Sequence, residues 1–200
     1  DGYFGHADLV RHGPSEGRID VVVMGDGYTF LQQDAFDDVA ADLPRELERS
    51  LVFGEYYSYF NLLRANVVSQ EAGVDGYGRE ARTALGGRAI DYTDDANVTV
   101  DPSLVDAVLR EVPGSEGLAI AIVKRGRSGT GGVGIATIGG THFETLLHEW
   151  GHAFAGLGDE YTTDHGFRHR VVYRAPNVAT SEDPDEVPWA HWIAADAPGI

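Results

Sequence analysis

The stretch from Thr141 to Tyr161, THFETLLHEWGHAFAGLGDEY, constrains this chain more than any other. His148 and His152 are four residues apart, so on a helix they share one face, a turn from each other. Glu149 sits beside them. In this H-E-x-x-H spacing two imidazoles hold a zinc ion and the glutamate handles the proton of the water that the metal activates. Thr141 and Glu144 fit a capping box, a hydroxyl at the N-cap with a carboxylate three residues on. Phe143, Leu147, Trp150 and Phe154 recur at three- and four-residue spacing and predict the buried stripe. The histidines fall on a neighbouring face with Gly151 and Ala155, where small residues leave room for a metal and a ligand. Gly156 and Gly158 end the helix, because glycine readily takes the positive φ of a C-terminal turn. The chain then delivers Asp159 and Glu160.

A catalytic zinc takes three protein ligands and keeps a fourth position for water. A structural zinc takes four, commonly cysteines, and this chain has no cysteine. The helix resembles that of the metzincin metallopeptidases, H-E-x-x-H-x-x-G-x-x-H/D, with one residue inserted. Ala155 holds the glycine place, Gly158 holds the ligand place, and the pattern returns one step later as Gly156-Leu157-Gly158-Asp159. That resemblance makes Asp159 the third ligand, with Glu160 the alternative. A carboxylate oxygen is a normal zinc donor.

The 200 residues suffice for one domain with a real core, and 42% hydrophobic content suits a globular protein. The formal net charge is −17, and Lys124 is the sole lysine. Such a chain repels nucleic acid and anionic membranes. No run of eighteen apolar residues is present to span a membrane. The first residue is Asp1, as expected of a mature fragment whose signal peptide has gone.

In chain order, residues 1–18 show no period and read as a loose lead-in, with His6 and His12 exposed and away from metal. Ile19 to Met24 is a buried strand that ends in the turn Gly25-Asp26-Gly27. Asp26 reads as a turn former. Thr29 and Gln32 make a second capping box, and Phe36, Val39, Leu43, Leu47 and Leu51 trace a helical face that Pro44 kinks or restarts. Phe53 to Phe60 is an aromatic packing corner, and Asn61 to Ser69 a second strand. Residues 70–99 read as a loop insertion. Its Asp91, Asp94, Asp95 and Asn97 suggest calcium, but the spacing is not that of an EF-hand, so a solvated loop is expected. Asp101-Pro102 opens a helix with Leu104, Val105, Val108 and Val112 on its apolar side. Leu118 to Val123 is a third strand. Residues 126–140 hold seven glycines without a phosphate-loop pattern. They read as a mobile loop, then an edge strand from Val133 to Ile138 that an extended peptide can pair with. His165 and His169 lack a glutamate between them and are not expected on the metal. Trp189, His191 and Trp192 predict an anchor that packs on the body.

These residues resemble the IgA-peptidase type of zinc metallopeptidase. The resemblance lies in Asp20 to Thr29, Phe60-Asn61, His148-Glu149-Trp150-Gly151-His152 with Asp159-Glu160-Tyr161, Pro176-Asn177-Val178 and Pro188-Trp189. It implies an α/β (α+β) fold, a zincin-like three-layer arrangement with a twisted mixed sheet and an active-site helix carrying H-E-x-x-H. One domain over 1–200 is expected, its upper subdomain ending near 156 with the zinc helix and its lower subdomain starting at 157. The resemblance also implies a secreted endopeptidase that binds one Zn²⁺ and takes peptide or protein substrates. His148 and His152 would then be ligands, Glu149 the base, and Tyr161 and Tyr173 candidate oxyanion donors. A monomer is expected. Metzincins place a methionine turn downstream of the third ligand, whereas the only methionine here is Met24, far upstream. Either another residue supplies that floor or the chain ends before it. Rival readings are a zinc amidase for a small or cell-wall amide, and a binding module with an idle metal site.

Overall fold

The structure is a computed structural model that describes residues 2–76, 78–90, 97–159, 175–179, 181 and 183–193. Its secondary structure is mixed. The strands are β1 (Tyr3–Val10), β2 (Ile19–Asp26), β3 (Phe60–Val67), β4 (Arg88–Ala89), β5 (Val98–Thr99), β6 (Ala119–Val123), β7 (Gly129–Gly132) and β8 (Ile135–Gly139). The helices are α1 (Gln33–Arg49), α2 (Phe53–Tyr56), α3 (Pro102–Leu109) and α4 (Phe143–Ala155). Among the described residues, β1-β3-β2-β6-β8-β7 form one sheet, and β4 and β5 pair as a short ribbon in the 70–99 insertion. The four inner strands run parallel, while β1 and β7 are antiparallel edges.

The inner strands β2, β6 and β8 are largely apolar because both of their faces are covered, whereas β3 intersperses Asn61, Arg64 and Asn66. Alternate residues Val21, Val23, Ile120, Ile122, Ala136 and Ile138 share a cluster with Phe36 and Leu43 of α1 and with Leu146 and Trp150 of α4. Their neighbours Val22, Met24, Ala119, Ala121 and Val123 pack with Val105, Val108 and Leu109 of α3 and with Val98 of β5. Met24 is thus a core residue of the sheet.

Several expectations change. The lead-in is a strand, β1, paired with β3 through register shifts at Tyr3/His6 and Asp8/Val10. Such irregularities break the two-residue alternation by which a strand is recognised. His12 is half-buried rather than exposed, with Nδ1 2.7 Å from the Phe60 carbonyl. The Thr29–Gln32 capping box is formed, and α1 continues through Pro44 without restarting. Leu51 lies beyond α1 and is exposed. The strand expected at the edge is internal: β8 lies between β6 and β7, and the supposed mobile loop supplies the edge strand β7.

The chain packs as two compact units, Asp1–Phe154 and Ala155–Ile200. Within the second, Gly158 donates its N–H to Asn177 Oδ1 and accepts from Asn177 Nδ2, both at 2.8 Å. Trp192 is 80% exposed. Among the described residues no helix is long and apolar enough to cross a membrane.

Candidate metal centre

The helix α4 starts at Phe143, two residues after the expected cap at Thr141. Its buried positions are Leu146, Glu149, Trp150 and Ala153, whereas Leu147 and Phe154 are 40% and 44% exposed. The stripe is therefore rotated from the expected one. The rotation seats Trp150 among aromatic rings from the predicted packing corner. Its centroid lies 6.0 Å from Phe53, 6.4 Å from Phe60 and 5.5 Å from Phe154, the last stacked. With Trp150 held there, His148 and His152 share the opposite, half-buried side.

The two imidazoles converge. His148 Nε2 and His152 Nε2 are 3.1 Å apart. Two nitrogens bound to one tetrahedral zinc at about 2.05 Å would stand roughly 3.3 Å apart. Beyond the helix, in the second unit, Asp159 is exposed. Two imidazole nitrogens and one carboxylate oxygen form a normal catalytic donor set for zinc. Glu149, 6% exposed, lies on the core side of its two neighbours. Glu160, Tyr161, Tyr173, His165 and His169 lie outside the described residues, as do Asp91, Asp94 and Asp95.

The hairpin β7–β8 presses on this helix. A Cβ at Gly129 would stand 2.9 Å from Glu149 Cγ, and a Cβ at Gly131 would stand 2.6 Å from His152 Cβ and meet the Glu149 carbonyl. Gly134, in the hairpin turn, donates its N–H to the Ala153 carbonyl at 3.0 Å. Only side-chain-free residues allow this approach. The glycine density of residues 126–140 was the available signal, but it did not say which element the glycines face. Asn177 was visible only through the resemblance, and in the structure it holds both backbone groups of Gly158, next to Asp159.

The edge of β7 follows from its register. Gly139 donates to the Ser128 carbonyl, and the Cα partners run Gly129–Ile138, Thr130–Thr137, Gly131–Ala136 and Gly132–Ile135. Hydrogen-bonded pairs alternate in an antiparallel ladder, so Ser128, Thr130 and Gly132 face β8. Gly129 and Gly131 turn their N–H and C=O groups the other way, out from the sheet.

Asp26 is fully buried. Its carboxylate accepts from Leu85 N at 2.7 Å and Gly87 N at 2.9 Å, so it anchors the insertion rather than forming a turn alone. Burial pushes its pKa up, against the pull of these hydrogen bonds.

No curated protein matches the chain. The family model described as IgA Peptidase M64 matches residues 7–199, almost the whole length, and the chain belongs to that family of metallopeptidases.

Proposed function

We propose that the protein is a zinc-dependent endopeptidase with a zincin-like fold, secreted and monomeric, comprising one domain whose upper part ends near residue 156 with the metal helix. His148, His152 and Asp159 would hold the ion. The observation that carries this reading is the 3.1 Å convergence of the two Nε2 atoms on the helix face next to a buried glutamate. When bound, zinc supplies Lewis acidity toward water and the scissile carbonyl. Glu149 does the proton work: its carboxylate accepts the proton of the attacking water and passes it to the leaving amine. An extended substrate pairs with the outward backbone groups of Gly131, which is half-buried and whose α4 side adjoins Glu149 and His152. That open edge suits a peptide chain better than a small amide.

Elemental analysis and peptide turnover, with and without chelator, test the assignment. The Glu149→Ala protein should retain about one zinc per chain and lose at least about a thousandfold in kcat. His152→Ala should lose the metal. A Glu149→Ala protein as active as the parent would show that the base is elsewhere.

A further inference from the structure

We propose that a groove on the β5 side of β7 is a specificity subsite for one aliphatic side chain of the substrate, an inference that rests on the peptidase reading above. The groove encloses about 180 Å³ and is lined by Thr99, Val100, Pro102, Thr130, Val133 and Ile135, among others. Pockets that take whole small molecules hold about 300–1,000 Å³, so this one is sized for a single side chain. No charged side chain lines it among the described residues. Thr130 commits its hydroxyl proton to the Val98 carbonyl at 2.9 Å. A charged substrate side chain would lose its hydration there without a partner, whereas an aliphatic one gains burial.

Geometry ties the groove to the substrate. A chain paired on the half-buried Gly131 extends the sheet, and its side chains alternate between the two faces. One set points to the α4 face, where Cβ atoms at Gly129 and Gly131 would meet Glu149 and His152. The residues between them point to the opposite face, where Thr130 turns toward β5 and the groove opens. The same strand thus abuts the catalytic glutamate on one side and walls the groove on the other. Its occupant is an alternate residue of the same peptide: valine, isoleucine or leucine.

The test uses the zinc-loaded protein and a library of internally quenched peptides, comparing the parent with Thr99→Trp. Thr99 is half-buried on the groove wall, so an indole there fills the space without entering the sheet core. The parent should select Val, Ile or Leu at one position. Thr99→Trp should change that position to Gly or Ala and lower kcat/KM for the aliphatic peptide by about tenfold to a hundredfold, with the other positions and the melting temperature kept. Unchanged selection in the variant, or no aliphatic selection in the parent, overturns the subsite. A second measurement needs no turnover: binding of a labelled aliphatic peptide and its glycine counterpart to Glu149→Gln protein, with and without Thr99→Trp. Tighter binding of the aliphatic peptide that Thr99→Trp abolishes supports the groove even if nothing is cleaved, in which case the peptidase reading is what fails. Equal binding of both peptides overturns the groove itself.

Discussion

At Gly131 the absence of one methyl group decides whether His152 keeps its place. An added Cβ would stand 2.6 Å from His152 Cβ and 3.1 Å from its Cδ2 and run into the Glu149 carbonyl, a backbone atom that cannot swing aside. Gly131→Ala should weaken zinc binding by about tenfold to a hundredfold, the usual cost of disturbing a ligand's support, as read by chelator competition. A Cβ at Gly129 would meet the Thr137 carbonyl of β8 first and then Glu149 Cγ at 2.9 Å. Gly129→Ala should keep zinc affinity near the parent's and lower kcat; the reverse order would mean that β7 does not hold these two side chains separately. Asp26 gives a second residue-scale case. Asn in its place keeps one acceptor and turns an amide N–H₂ toward the Leu85 or Gly87 N–H, at a cost of about 1–3 kcal/mol. That cost depends on pH. The raised folded pKa means that the native state holds the Asp26 proton more tightly than the unfolded chain does. The stability this contributes is full below the ordinary carboxyl value of 3.8 and is lost as pH rises through the folded value. The advantage of the parent over Asp26→Asn in urea melts should therefore be larger at about pH 4 than at about pH 7; a difference growing with pH would refute the direction.

Among elements, α4 shows how a helix face is chosen. Trp150 is the ring that Phe53, Phe60 and Phe154 surround, and it is 4% exposed. Its indole Nε1 is buried without a hydrogen-bond partner among the described residues. Trp150→Ala should cost about 3–5 kcal/mol, as large-to-small core changes do. Trp150→Phe should cost less than about 1.5 kcal/mol, because it keeps an aromatic ring and removes the unpaired N–H. Equal losses in denaturant melts would mean that the indole nitrogen is satisfied. The existence of α4 and the convergence of His148 with His152 were legible in the sequence, because helical period and four-residue spacing are local. So were β2 and β6, whose nearly continuous apolar runs demand burial on both faces, and β3, whose apolar residues alternate with polar ones. The stripe of α4 was not, because Leu147 and Leu146 are equally apolar and only the aromatic corner chooses between them. β7 was not legible either. Gly129, Gly131 and Gly132 have no side chains to alternate, and their strand state comes from pairing with β8 and from contact with a helix that follows in sequence. β1 was hidden by its two register breaks.

Over the whole molecule, charge acts at longer range than any of these contacts. Fifteen Lys and Arg face 32 Asp and Glu, a net of −17. The one lysine, Lys124, has its ammonium 5.4 Å from the Tyr28 ring centroid. Ion pairs such as Arg11–Asp8 and Arg45–Asp42 are exposed and local, so they neutralise little of the total. Self-repulsion on this scale is felt most at low ionic strength, where the Debye length is about 30 Å at 0.01 M against about 10 Å at 0.1 M. On the proposed peptidase reading, the same field should attract cationic peptides to the surface before any of their side chains reaches β7. Attraction at a distance and fit in the apolar groove are then separable. On the proposed subsite, the first would set how often a peptide arrives and the second which residue is accepted. Two peptides with the same aliphatic residue for the groove, one flanked by arginines and one by glutamines, distinguish them. Between about 0.01 M and about 0.1 M NaCl the arginine peptide should lose roughly tenfold in kcat/KM while the glutamine peptide changes less than about twofold. Over the same range the melting temperature should rise as repulsion is screened. Parallel salt curves for the two peptides would mean that the negative charge lies too far from the substrate's path to steer it.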